Sequence, residues 1–187
     1  MEEQERNACW NRACDCFATA KIFERRARVY QVKIDAVTYL GVGGPAIFGA
    51  AVAAWGADVL SNAATMIIVG LVGVAQVALS VAALVRNWPE NYAYSKQSAA
   101  INYQLAEEFK DLAVGAGYDA EAFRIELQRA VARDRSQTQQ DTGRHVSDRE
   151  KTWGHRHGLR QFQRSCLACN VMPTDMKPTT CHQCGEF

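Results

Sequence analysis

Residues 36–85 read AVTYLGVGGPAIFGAAVAAWGADVLSNAATMIIVGLVGVAQVALSVAALV, and the only Asp, Glu, Lys or Arg among them is Asp58. All 21 Lys and Arg residues fall outside this stretch, seven before it and 14 after it. The block divides into two apolar runs, residues 36 to about 56 and 63 to about 85. At about 1.5 Å per residue, each helical run covers roughly 30 Å, the hydrocarbon thickness of a bilayer. The connection Ala57-Asp58-Val59-Leu60-Ser61-Asn62 is short enough only for an antiparallel return. These features predict a two-span helical hairpin. The competing reading is a buried hairpin in a soluble bundle, but core helices rarely stay uncharged over two whole spans.

The flanks orient the hairpin. Lys21, Arg25, Arg26, Arg28 and Lys33 precede the first run, Arg86 and Lys96 follow the second, and the connection carries neither Lys nor Arg. The positive-inside rule then places both termini in the cytoplasm. Tyr39, Trp55 and Trp88 stand near the run ends, where amphipathic rings favour the interface. Six glycines (41, 43, 44, 49, 70 and 73) leave small surfaces for close helix approach, and Pro45 removes a backbone donor from the first run. Gln76 lies mid-span, where a primary amide needs a partner. It serves either as one interhelical hydrogen bond or as part of a ring lining an oligomeric pore.

Outside the hairpin the chain is polar, so the mean hydropathy of −0.22 describes neither part. A net charge of +1 offers no global field for nucleic acid or an acidic substrate. The first 35 residues are charged throughout, which argues against a cleavable signal peptide. Cys9, Ala13, Cys16, Ala20, Phe23, Ala27, Tyr30, Ile34 and Val37 recur at alternating spacings of four and three. This predicts a helical seam continuing into the first span, with Cys9 and Cys16 as small buried apolar residues. Cys14 lies off the seam and has no evident role. After Trp88-Pro89 a second helix should present Tyr94, Ser98, Ile101, Leu105, Phe109 and Leu112 to that seam. Gly115-Ala116-Gly117 ends it, and Asp119 can cap a third helix with the stripe Phe123, Leu127 and Val131. Residues 134–165, rich in Gln, Arg, Asp and His, read as a polar linker.

Cys166-Leu-Ala-Cys169 is followed after eleven residues by Cys181-His-Gln-Cys184. Two such pairs supply four thiolates at tetrahedral reach, the pattern of a closed structural Zn2+ site in a zinc ribbon. An iron–sulfur centre and four free cysteines are the alternatives. Asn170 and Gly185 follow the two pairs, and both residue types tolerate positive φ, letting backbone N–H groups face the sulfurs. His182 should face solvent, and Arg156, Arg160 and Arg164 beside the ribbon are candidates for contact with anionic lipid or nucleic acid. No triad, phosphate loop or open metal site is visible, so the chain is not expected to be an enzyme. The expected architecture is an all-α membrane protein. It comprises an N-terminal cytoplasmic helix (1–35), the hairpin (36–85), cytoplasmic helices (86–133), the linker (134–165) and the ribbon (166–187).

Cys9-Trp10, Ala18-Thr19-Ala20, Phe23-Glu24-Arg25-Arg26-Ala27 and Leu40-Gly41-Val42-Gly43-Gly44-Pro45 together resemble the SLATT family of bacterial two-span effector domains. The terminal Cys-x2-Cys-x11-Cys-x2-Cys resembles a subgroup carried on mobile genetic elements. The resemblance implies an inner-membrane effector of a prokaryotic conflict or antiphage system that forms homo-oligomers and permeabilises the membrane. It further implies a sensor or nucleotide-signalling partner encoded nearby, and it brings no catalytic residues. The alternative is a membrane-anchored adaptor whose ribbon binds a protein or nucleic acid.

Overall fold

The computed structural model describes residues 3–56, 62–115 and 119–187. Among these lie five helices: α1 (Glu3–Trp55), α2 (Ala63–Val85), α3 (Trp88–Val114), α4 (Ala120–Thr142) and α5 (Asp148–Gln161). The interspan connection 57–61 and the Ala116-Gly117 part of the expected helix break lie outside the described residues. The chain divides into two compact units, one of Met1–Arg26 with Ser95–Phe187 and one of Ala27–Tyr94.

The unit of Ala27–Tyr94 holds both apolar runs. Each run is long and apolar enough to cross a membrane, and neither has a buried residue within its apolar window. Met66, Ile67, Leu71, Val74 and Val77 on α2 are all more than half exposed, as are Tyr39, Val42, Ile47 and Trp55 on α1. Pro45 sits inside α1. A helix can continue through proline in apolar surroundings when neighbouring groups satisfy the freed carbonyl. Gly41 faces Gln76: a β-carbon there would stand 3.5 Å from Nε2 of the amide. Trp88, read as an interfacial ring, is instead buried, with the Lys33 ammonium 5.5 Å from its ring centroid.

The other unit is built on the predicted seam. Cys9, Ala13 and Cys16 of α1 pack with Leu105, Ala106, Phe109, Leu112 and Ala113 of α3, and Phe123 and Ala130 of α4 complete this core. Small residues on α1 opposite large ones on α3 allow close packing of the two helices. Asp119 caps α4 as expected, its carboxylate accepting from the N–H groups of Glu121 and Ala122 at 3.1 and 2.7 Å.

Residues 134–165 are not a linker. They contain the second half of α4 and all of α5, both folded into the compact unit. Along α4 the stripe Phe123, Leu127, Ala130 continues as Asp134, Gln137 and Asp141 at the same spacing of three and four, so the buried face changes from apolar to polar letters. Its polar half is satisfied by hydrogen bonds, the condition on which polar groups can be buried. Asp134 pairs with Arg12 at 2.6 Å and accepts from the Cys16 thiol at 3.6 Å. Asp141 accepts from Ser98, Asn102 and Gln137 at 2.7, 3.0 and 3.0 Å.

Helix α5 begins with a capping box. Ser147 Oγ accepts from the Glu150 N–H while Glu150 accepts from the Ser147 N–H. The same carboxylate takes two bonds of 2.8 Å from Arg26, whose guanidinium also donates to the His145 carbonyl. The Arg26 bonds, then the Ser147 contacts, lower the Glu150 pKa from 4.5 to about 2. Because the folded value is the depressed one, this stabilisation is complete above about pH 4.5 and disappears as pH falls through 2. Glu150→Gln should therefore cost about 1 kcal/mol at pH 7 after solvent screening, and almost nothing near pH 2. Thermal unfolding in detergent micelles checks this: the variant should melt roughly 2–4 °C below wild type at pH 7, with the gap closing on acidification.

Candidate metal centre

The ribbon residues follow α5 without regular secondary structure, so hydrogen-bonded turns and side-chain ties shape them. In the first turn the Asn170 N–H donates to the Cys166 carbonyl at 2.8 Å, with Asn170 at φ 55°, while the Cys166 N–H donates to the Val171 carbonyl at 3.0 Å. In the second, the Gly185 and Glu186 N–H groups donate to the Cys181 carbonyl at 2.8 and 3.2 Å. Gly185 does not adopt the positive φ expected of it. It is glycine because the strand of chain at Thr179 passes directly over it: a β-carbon would lie 2.0 Å from Thr179 Oγ1 and 2.5 Å from its carbonyl oxygen. That passage is held by the Thr179 N–H donating to the Gly185 carbonyl at 3.1 Å.

These turns bring the sulfurs of Cys166, Cys169, Cys181 and Cys184 within 4.8 Å of one another. Cys166 and Cys181 are 3.9 Å apart, Cys169 and Cys184 3.7 Å. A disulfide needs about 2.0 Å, so these are thiols, and all seven cysteines are free. A tetrahedron with metal–sulfur bonds of about 2.3 Å has edges of about 3.8 Å. The quartet therefore fits one tetrahedral ion, with Cys166 and Cys184 buried, Cys181 half-buried and Cys169 exposed. Backbone N–H groups of Cys184 and Gln183 stabilise the Cys181 thiolate and lower its pKa to about 6, while burial raises that of Cys184. A tetrahedral ion held by four protein sulfurs has no open position for a substrate water.

The other predicted residues sort differently. Arg156, read as a free basic contact, is only 5% exposed. Its Nε donates to the Asp175 carbonyl at 2.8 Å, its Nη1 to the Cys184 carbonyl at 3.0 Å, and its Nη2 to the Asp175 carboxylate at 3.2 Å. A polar sequence hides this role, because a guanidinium with all its bonds made inside the protein looks identical to a surface one. His182 is exposed as expected, though its carbonyl accepts from Thr152 Oγ1 at 3.3 Å. Arg160 is exposed, and Arg164 makes long contacts of 3.4 and 3.5 Å to Asn7 and Asn11. Cys14 acquires a place: it is buried with Leu159, Cys166 and Cys184 behind the ribbon, and burial pushes its thiol pKa up to about 12. Cys16 is raised for the same reason, then by Asp134, and neither thiol belongs to the sulfur quartet.

The family model described as mobilome CxxCx(11)CxxC protein matches residues 6–187, almost the whole chain. No curated protein and no solved structure matches.

Proposed function

This chain belongs to the mobilome CxxCx(11)CxxC proteins, and we propose on that footing that it is a two-span inner-membrane effector of a mobile-element or antiphage system. In this reading both termini are cytoplasmic, and the effector acts by self-association and permeabilisation, as the SLATT-like features suggest. The observation that carries the membrane part is the uncovered hairpin, whose α2 has no buried residue although it is the most apolar element. In water such a surface would aggregate, and in lipid it is solvated. Small residues at 41, 43, 44, 49, 70 and 73 suit tight packing between copies. The half-buried Gln76 amide beside Gly41 is a polar side chain suited to line or gate a path. Cys166, Cys169, Cys181 and Cys184 hold structural Zn2+ in this reading. No catalytic role is assigned. A sensor or nucleotide-signalling protein encoded nearby would supply the trigger.

Induced expression in cells loaded with a potential-sensitive dye tests the proposal. The wild-type chain should dissipate the potential, and Gln76→Leu should slow this by roughly tenfold, because a dewetted constriction resists ions. Equal retention of potential by both, or recovery of the chain from the aqueous fraction as a monomer, would remove the reading. An adaptor that merely tethers its ribbon predicts retained potential in both. A fragment starting near residue 134 does not isolate that alternative, since Cys14 of α1 packs behind the ribbon and Trp10 and Phe17 pack on Phe162.

A further inference from the structure

Helix α5 carries Arg149, Trp153, His157 and Arg160 at spacings of four, four and three, which places them on one face over about 16 Å. The inward face, with Thr152, Gly154, Arg156, Gly158 and Leu159, is spent on packing. From α1, the Arg25 guanidinium lies 4.9 Å from the Trp153 ring centroid, and Trp153 meets the His157 ring edge-on at 4.3 Å. Arg25, Arg149 and Arg160 are exposed, and none of them forms an ion pair with a carboxylate among the described residues. Nearby charges are already committed: Lys21 with Glu24, which also accepts from Tyr103, and Lys151 with Asp148.

We propose that this face of Arg25, Arg149, Trp153, His157 and Arg160 binds single-stranded nucleic acid. Three exposed guanidinium groups without carboxylate partners among the described residues, Arg149 and Arg160 on α5 and Arg25 on α1, can meet a phosphate backbone. The half-buried Trp153 ring beside the Arg25 guanidinium offers an aromatic surface for an unpaired base, the combination that sequence-independent single-strand surfaces use. A bilayer surface could use the same charges and an interfacial ring, so the experiment below separates the two ligands directly. The proposal goes beyond the effector reading and holds or fails without it, because it concerns neither the hairpin nor the sulfur quartet.

His157 provides a second readout. Its pKa is lowered, first by burial and then by Lys21 and Arg160; Glu24 opposes this, and Arg25 adds the smallest lowering. A bound phosphate offsets those cations and favours the imidazolium. Binding should therefore tighten as pH falls from 8 to 6.

The experiment uses the full chain in nanodiscs of zwitterionic lipid and measures fluorescence anisotropy of labelled 20-mer DNA and RNA strands. Wild type should bind single strands better than duplex, with a log–log salt slope of about −2, from about 0.7 per phosphate contact. Arg25→Ala/Arg149→Ala/Arg160→Ala should weaken binding roughly tenfold or more. The corresponding triple Lys variant should restore most of it, and Trp153→Ala should lose on the order of tenfold. His157→Gln should flatten the pH dependence. No binding at low salt, binding indifferent to the triple Ala variant, or a face that captures anionic vesicles but no oligonucleotide would each overturn the proposal.

Discussion

Cys166→Ser is expected to empty the ribbon of metal, dropping the full-length protein from about one ion per chain to near none by elemental analysis. Cys166 is fully buried, its sulfur lies 3.9 Å from that of Cys181, and all four sulfurs lie within 4.8 Å of one another. Removing one thiolate breaks a closed site rather than trimming an open one. The structural cost is local but large. The ribbon's side-chain interior is little more than Cys166, Pro173 and Cys184, too small to fold on hydrophobic burial alone. Metal-ligand free energies of about 10–16 kcal/mol are what hold comparable small sites together. Once the ribbon opens, the buried Arg156 guanidinium loses its acceptors at Cys184 and Asp175. Those bonds tie α5 to the ribbon, so α5 should loosen when the ribbon opens. The core of α1, α3 and α4 should keep its helical signal. Acid should mimic the substitution, because the ligands bind as thiolates and protons compete for them as pH falls. Cys14→Ser is the control, being buried behind the ribbon yet outside the quartet, and it should retain the ion. A Cys166→Ser protein that still carried one ion, or a Cys14→Ser protein that lost it, would refute the assignment.

What could be read from the sequence, and what could not, follows one physical division. Apolar periodicity reports burial directly, so the α1 seam, the α3 face and the bounds of α2 at Ala63 and Val85 were legible. The clustering of the four cysteines was legible because paired Cys-x2-Cys spacing is the pattern of a metal site. Polar burial leaves no such trace. Asp134, Gln137 and Asp141 continue the α4 stripe, but each looks solvent-facing until its partner is known: Gln137 donates to Asp141, and the partners of the two carboxylates, Arg12, Ser98 and Asn102, lie more than 30 residues away. One local signal was there to be used: Ser147-x-x-Glu150 is a capping-box pattern and marks the start of α5 inside the stretch read as a linker. Gly154 and Gly158, four apart on one face of α5, are contact residues inside that same stretch.

That contact supplies the second large effect, expected for Gly154→Ala/Gly158→Ala. A β-carbon at Gly154 would lie 2.7 Å from the Ala18 carbonyl oxygen and 2.8 Å from the Ile22 side chain. At Gly158 it would lie 2.6 Å from the Cys14 carbonyl oxygen and 2.8 Å from the Cys14 sulfur. Both sites thus press α5 against the backbone of α1, and backbone cannot rotate away as a side chain can. Two effects oppose each other. Alanine favours helix over glycine by about 1 kcal/mol per site, while overpacking costs about 1–3 kcal/mol per site and more when the obstacle is backbone. The packing term wins, for a net loss of roughly 2–4 kcal/mol in the double variant, read as a lower melting temperature in detergent. Helical content should hold or rise even as stability falls, a divergence that loss of helix propensity could not produce. The Cys14 thiol, only 4% exposed in the wild type, should react with an alkylating probe at least about tenfold faster once α5 lifts, since protection tracks local opening. Cys14→Ala placed on Gly158→Ala separates the two obstacles, because it removes the sulfur and leaves the carbonyl oxygen. It should recover only part of the loss. Full recovery would mean that the sulfur alone set the spacing, and an unchanged melting temperature in the double variant would mean that α5 does not pack on α1 through these glycines.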